Sequence, residues 1–199
     1  PVDVFESSGG ANGHSLTTSD LENGYVRPTQ RSTYKFFLLA ILVFGIQVLA
    51  GIISATDFIR PFGINLNDMI PFTVSRSYHT LLQIFWFFMC WVGYTIFFLP
   101  RLTKVPKGQQ FLINLLFFVA CVVAVGAVTG IYVGQRGWIS DELSYWFGSQ
   151  GWEFIELGRF FQLLLLAGFT LWILIIYRGV KPWLSKKNFW SVPGTMFTS

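Results

Sequence analysis

Apolar residues run in long, nearly unbroken blocks along this chain, and polar residues collect between them. Four blocks, at about 34–55, 77–99, 111–133 and 160–177, are each long enough to cross a bilayer, which takes about 20 apolar residues. In hydrocarbon a backbone must satisfy its own hydrogen bonds, so the pattern predicts helices despite the many β-branched and aromatic side chains. A fifth block, "FWSVPGTMFTS", opens near Phe189 and predicts the start of another helix over 189–199. Ahead of the blocks, residues 1–32 are rich in Gly, Ser, Thr and Asn without periodicity, which predicts a flexible, disordered polar linker or tail. The expected fold class is an all-α membrane protein with four transmembrane helices, the membrane segment occupying 33–188.

Composition sharpens the class. The 199 residues are 53% hydrophobic and 12% charged, about half the charge of a soluble domain. The net charge of +4 therefore reads as a topology signal rather than a nucleic-acid footprint. Arg27, Arg31 and Lys35 precede the first block, Arg101, Lys104 and Lys107 follow the second, and Arg178, Lys181, Lys186 and Lys187 follow the fourth. The other two connections carry Asp57, Asp68, Asp141, Glu142, Glu153 and Glu156. The positive-inside rule then places both ends and the 100–110 loop in the cytoplasm, and segments 56–76 and 134–158 on the opposite side. Cys90 and Cys121 lie singly inside apolar blocks, without the spacing of a zinc or redox motif, and read as packing residues.

The second block opens with two residues that lipid does not favour, in "RSYHTLLQIFWFF". Arg76 and His79 are three apart and share a helix face. A neutral imidazole held between helices at the membrane edge suits axial ligation of a haem iron, and an arginine one turn nearer water suits a propionate. Interfacial anchoring of Arg76, Tyr78 and His79 explains the same residues. On the same face, Glu153 and Glu156 follow the aromatic run "YWFGSQGW". Their spacing would set both carboxylates on one side of a helix, as a cation site, a proton entry or a quinol contact, or as a merely acidic loop. The run "GAVTGIYVG" spaces Gly126 and Gly130 for close helix packing. His14, in the polar tail, reads as solvated.

Three stretches carry a resemblance: "RPTQRSTYKFFLLAILVFGIQVLAGIIS", "PFTVSRSYHTLLQIFWFFMCWVGYTIFFLP" and "SYWFGSQGWEFIELGRFFQLLLLAGFTLWILIIYRG". From about Arg27 onward the chain resembles the catalytic polypeptide of quinol-dependent nitric oxide reductases, within the haem–copper oxidase superfamily. The resemblance implies that 1–32 links to an upstream soluble domain, and that the four helices begin a twelve-helix core in a bacterial-type inner membrane. It implies that His79 is an axial ligand of a low-spin haem b, with its partner on a later helix of the same polypeptide. Arg76 would contact the propionates, and Glu153 and Glu156 would lie beside them, near a cation such as calcium. A haem b3 and a non-haem iron would be held by later helices, with quinol as electron donor, so that this chain alone is inactive.

One position departs from the family pattern. Members that bind quinol read F-G-H-Q-G-W/Y-E, whereas this chain reads "FGSQGWE", with Ser149 in place of the histidine. A hydroxyl donates a hydrogen bond but does not accept a quinol proton near neutral pH. That keeps open a nitric oxide dismutase branch (2 NO giving N2 and O2), which needs no external donor. A non-catalytic haem-b subunit and a plain membrane scaffold are the remaining readings.

Overall fold

In a computed structural model of the chain, the described residues are 26–60, 63–66, 69–102, 105–152 and 155–184. They form six helices and one hairpin: α1 Pro28–Arg31, α2 Tyr34–Ile59, α3 Phe72–Leu102, α4 Gln109–Gln135, α5 Asp141–Phe147, β1 Ser149–Trp152, β2 Ile155–Leu157 and α6 Arg159–Leu184. Four of the helices are long and apolar enough to span a membrane. The expected all-α, four-span architecture is therefore observed, with a small antiparallel hairpin added. The first 25 residues and the expected fifth helix over 189–199 lie outside the described residues.

Each span exceeds its expected apolar block, because capping and polar residues extend the helix beyond the oily stretch. α3 begins at Phe72 rather than near Ser77. Pro71 lacks an N–H, which the first turn does not need, and its carbonyl accepts from Ser75 N at 3.0 Å. α2 ends on Arg60, whose left-handed backbone (φ 42) turns its N–H back to the Thr56 carbonyl at 3.1 Å. α4 starts from Gly108, also left-handed at φ 78, a conformation that costs glycine little. The end of the expected polar tail is ordered onto the bundle. Buried Gln30 accepts from Arg27 N at 3.0 Å and donates to the Phe97 carbonyl at 3.0 Å.

Packing follows from spacing. Buried positions on α2 run Phe36, Ala40, Val43, Gln47 and Ala50, alternating steps of four and three that draw one seam along the helix, with Thr56 buried beyond them. α2 packs chiefly on α3, and α6 on α4 and α3. One core gathers Phe36, Val92, Ile96, Ile113 and Ile175; a second, toward the His79 end, gathers Val43, Val74, Tyr78, Leu82 and Ile131. Off the seam the spans stay oily, with Ile41 67% and Leu42 57% exposed. Apolar surface all round a helix is the mark of lipid as solvent.

Lipid removes the hydrophobic drive between helices, so alignment falls to close packing and interhelical hydrogen bonds. Trp172 Nε1 donates to Thr95 Oγ1 at 2.9 Å, Gln109 Nε2 to the Ile175 carbonyl at 2.9 Å, and Tyr78 Oη to the Val128 carbonyl. Such bonds contribute about 0.6 kcal/mol each on average. They therefore set register more than they hold the bundle together.

Candidate functional site

The long start of α3 places His79 two turns inside the helix. Seven residues from Phe72 correspond to about 10 Å of rise. Arg76, one turn nearer the helix start, is half-buried, as is His79. The imidazole turns toward α2. Its Nδ1 lies 3.1 Å from the backbone carbonyl of Gln47 and 2.9 Å from the side-chain Nε2 of the same residue.

Helical geometry explains how a main-chain carbonyl in mid-span becomes available. The Gln47 carbonyl already serves the N–H of Gly51 in the α-helical ladder, and it has a second lone pair. A side chain at position 51 would cover that lone pair. Gly51 has none: a Cβ built there would meet His79 Nδ1 at 2.6 Å and Cε1 at 2.8 Å. The glycine is the notch that admits the ring.

This arrangement fits a metal ligand. A histidine that binds iron through Nε2 must carry its proton on Nδ1, and a carbonyl acceptor fixes that tautomer and the ring's orientation. Both polar contacts of the His79 ring are to Nδ1, which leaves Nε2 available to a ligand. Nothing in the sequence reading assigned a role to Gln47 or Gly51. The signal was present in "FGIQVLAG", where a lone amide interrupts an apolar span and a polar group in mid-membrane needs a partner. Its partner, however, lies 32 residues on, beyond what local spacing shows.

The second cluster forms around the end of α4. Ser140 caps α5, its Oγ accepting from Leu143 N at 3.4 Å, with Asp141 and Glu142 in the first turn where the helix dipole favours acids. Ser144 Oγ donates to the Ser149 carbonyl at 2.8 Å and accepts from Ser149 N at 3.2 Å. Ser149 is buried at 9% exposure and begins β1, paired antiparallel with Leu157 of β2. Glu156, expected on a helix with Glu153, lies instead on β2 of this hairpin. Gly148 and Gly151 weaken helix here, and Glu153 is not among the described residues.

The glycines of "GAVTGIYVG" serve this cluster as well as helix packing. Gly126 faces the Phe161 ring of α6, as the small-residue spacing predicts, but Gly130 faces the Phe147 carbonyl at the end of α5. A Cβ at Gly134 would meet Ser144 Oγ at 2.6 Å and Ser149 N at 2.7 Å. The two clusters share one end of the bundle: Gln135, next to Gly134, donates to Ser77 Oγ of α3 at 3.3 Å. Also at this end, Arg136 donates to the Met69 carbonyl at 2.7 Å, and Arg159 Nε donates to Tyr145 Oη at 3.0 Å. Among the described residues no group of three His, Cys, Asp or Glu side chains converges as a metal cage, so His79 would ligate as a single protein donor from this chain. Cys90 and Cys121 are free and half-buried in their helices.

The family model described as Cytochrome C and Quinol oxidase polypeptide I matches residues 31–199. The match takes in all four spans, the Gln47–His79 pair and the α5–hairpin cluster.

Proposed function

The chain belongs to the cytochrome c and quinol oxidase polypeptide I family, a membrane redox family, and we propose that it is the part of a nitric oxide reductase that holds a low-spin haem b through His79. The observation that carries the haem reading is the Nδ1 contact to the Gln47 carbonyl at 3.1 Å over Gly51. It orients the ring and leaves Nε2 for iron. Once bound, a low-spin haem relays single electrons. His79 holds the iron, α2 fixes the imidazole, and Arg76, one turn nearer the helix end, pairs with a propionate as a planar donor. The resemblance implies that a second ligand to this haem would come from a later helix, and the other histidine here, His14, stands in the polar stretch 1–32.

Nitric oxide as substrate rests on the resemblance of "SYWFGSQGWEFIELGR" and of the Arg76–His79 spacing to the reductases. In that reaction two NO, two electrons and two protons give N2O and water. The binuclear haem b3 and non-haem iron lie on other helices. The resemblance implies that Glu153 and Glu156 would lie near the propionates with a cation, calcium in this reading. Arg101, Lys107 and Lys181 mark the cytoplasmic end, and His79 and Glu153 lie toward the periplasm of an inner membrane.

Ser149 favours a second reading. With a buried serine at the quinol position and its backbone committed to Ser144, no imidazole takes up quinol protons there. The dismutase reaction, 2 NO to N2 and O2, needs no such donor.

The test uses the full-length protein in membranes. His79→Ala abolishes the low-spin haem absorption and EPR signals while the polypeptide still accumulates; retained signals overturn the ligand assignment. Supplying NO with and without a quinol then separates the reactions. N2O dependent on quinol marks the reductase, and O2 released without quinol marks the dismutase.

A further inference from the structure

The His79 ring has one Nδ1, and Gln47 brings two polar atoms to it: the backbone carbonyl at 3.1 Å and the side-chain amide at 2.9 Å. A nitrogen that carries a proton needs acceptors, and a nitrogen that carries a lone pair needs donors. The amide nitrogen and the carbonyl therefore do not both bond Nδ1 at once. The conflict disappears if the amide is turned by 180°, which exchanges Oε1 for Nε2 with no change in shape. One Nδ1–H then lies between two acceptors from one residue. Gln47 is 7% exposed in the middle of an apolar span, where an amide without a partner is costly. Its partner is the ring.

We propose that the side chain of Gln47 is a positioning residue for the low-spin haem, presenting Oε1 to His79 Nδ1–H and, with its own backbone carbonyl, making the imidazole a stronger electron donor to the iron. This rests on the ligand reading of His79. The backbone carbonyl alone would fix the ring's direction. The amide oxygen adds partial negative charge in a low-dielectric setting, where it acts strongly. Greater ligand basicity stabilises ferric over ferrous iron. The haem potential is accordingly lower than the backbone contact alone would give.

The experiment is a redox titration of the low-spin haem in the full-length protein, monitored optically and by EPR, for wild type, Gln47→Leu, Gln47→Glu and His79→Ala. Gln47→Leu removes the side-chain acceptor but keeps the backbone one, and it raises the midpoint potential. Gln47→Glu keeps the shape and, where the carboxyl is ionised, strengthens the acceptor, so the potential falls and falls further as the pH is raised. Second-shell substitutions commonly act about 10-fold, which for a one-electron couple is about 59 mV in each direction. A merely structural role predicts loss of haem or of protein, not opposite shifts at full occupancy. If Gln47→Leu fails to assemble, the isosteric Gln47→Glu decides alone. Wild-type potentials in the Gln47 variants, with the haem lost in His79→Ala, overturn the role of Gln47 and leave the haem reading standing. Retention of the haem in His79→Ala overturns both.

Discussion

A single methyl group at position 51 would occupy space that the His79 imidazole now uses, since the Cβ would come within 2.6 Å of Nδ1. Helix backbone cannot yield there without breaking the α2 ladder, so the ring must swing away and lose the Gln47 carbonyl. Gly51→Ala is therefore expected to lower the haem content of the full-length protein by about 10-fold, the scale of losing a second-shell contact, with the haem-to-protein ratio as the measurement. In solution alanine would favour the helix by about 1 kcal/mol, so loss of haem without loss of helix would isolate the steric effect. At this scale the sequence was partly legible. Arg76 and His79 stand out because charge and imidazole are rare in oily runs. Gln47 interrupts its own run just as visibly, but its meaning depends on a residue in another helix, and no local pattern shows that.

Elements were more legible than their ends. Oily blocks gave the four spans, because hydrocarbon leaves a backbone little choice but helix. Ends are decided by single residues such as Pro71 and Arg60, which is why α3 begins five residues before the expected Ser77. The hairpin at Ser149–Leu157 was missed for another reason. A spacing of three between Glu153 and Glu156 has meaning only within a helix, and Gly148 and Gly151 argue against one. The glycines of α4 make the element-scale prediction. Gly130 admits the Phe147 carbonyl, a backbone group with no freedom to move aside. Gly130→Val forces α5 off α4 and destabilises the detergent-solubilised protein by about 1–3 kcal/mol, read as a lowered thermal midpoint. Gly45, with nothing within 4 Å of a Cβ, accepts alanine without that loss.

At the scale of the whole molecule, the distribution of charge is what the proposed orientation rests on. Lys107 and Lys181 belong to one end, whereas Ser140, Arg136 and the hairpin belong to the other. In the proposed orientation, a cysteine placed at Lys107 is labelled by an impermeant maleimide only from the cytoplasmic side, and one at Ser140 only from the periplasmic side. The reverse pattern would invert the bundle and with it the placement of the haem. Fold and topology class were readable because solvent imposes them on every residue alike. The site was less so, since it depends on how particular side chains meet across helices.

The pairing of His79 with Gln47 spans only 32 residues of chain and joins two consecutive helices. Each helix satisfies its own backbone in lipid before it packs, and neighbours in sequence meet first because the loop between them is short to close. The imidazole is thus oriented within one pair of consecutive helices, without help from the other described spans. In the proposed reading, this half of the haem cradle would form as soon as the two helices pack, before the haem or its other ligand is needed.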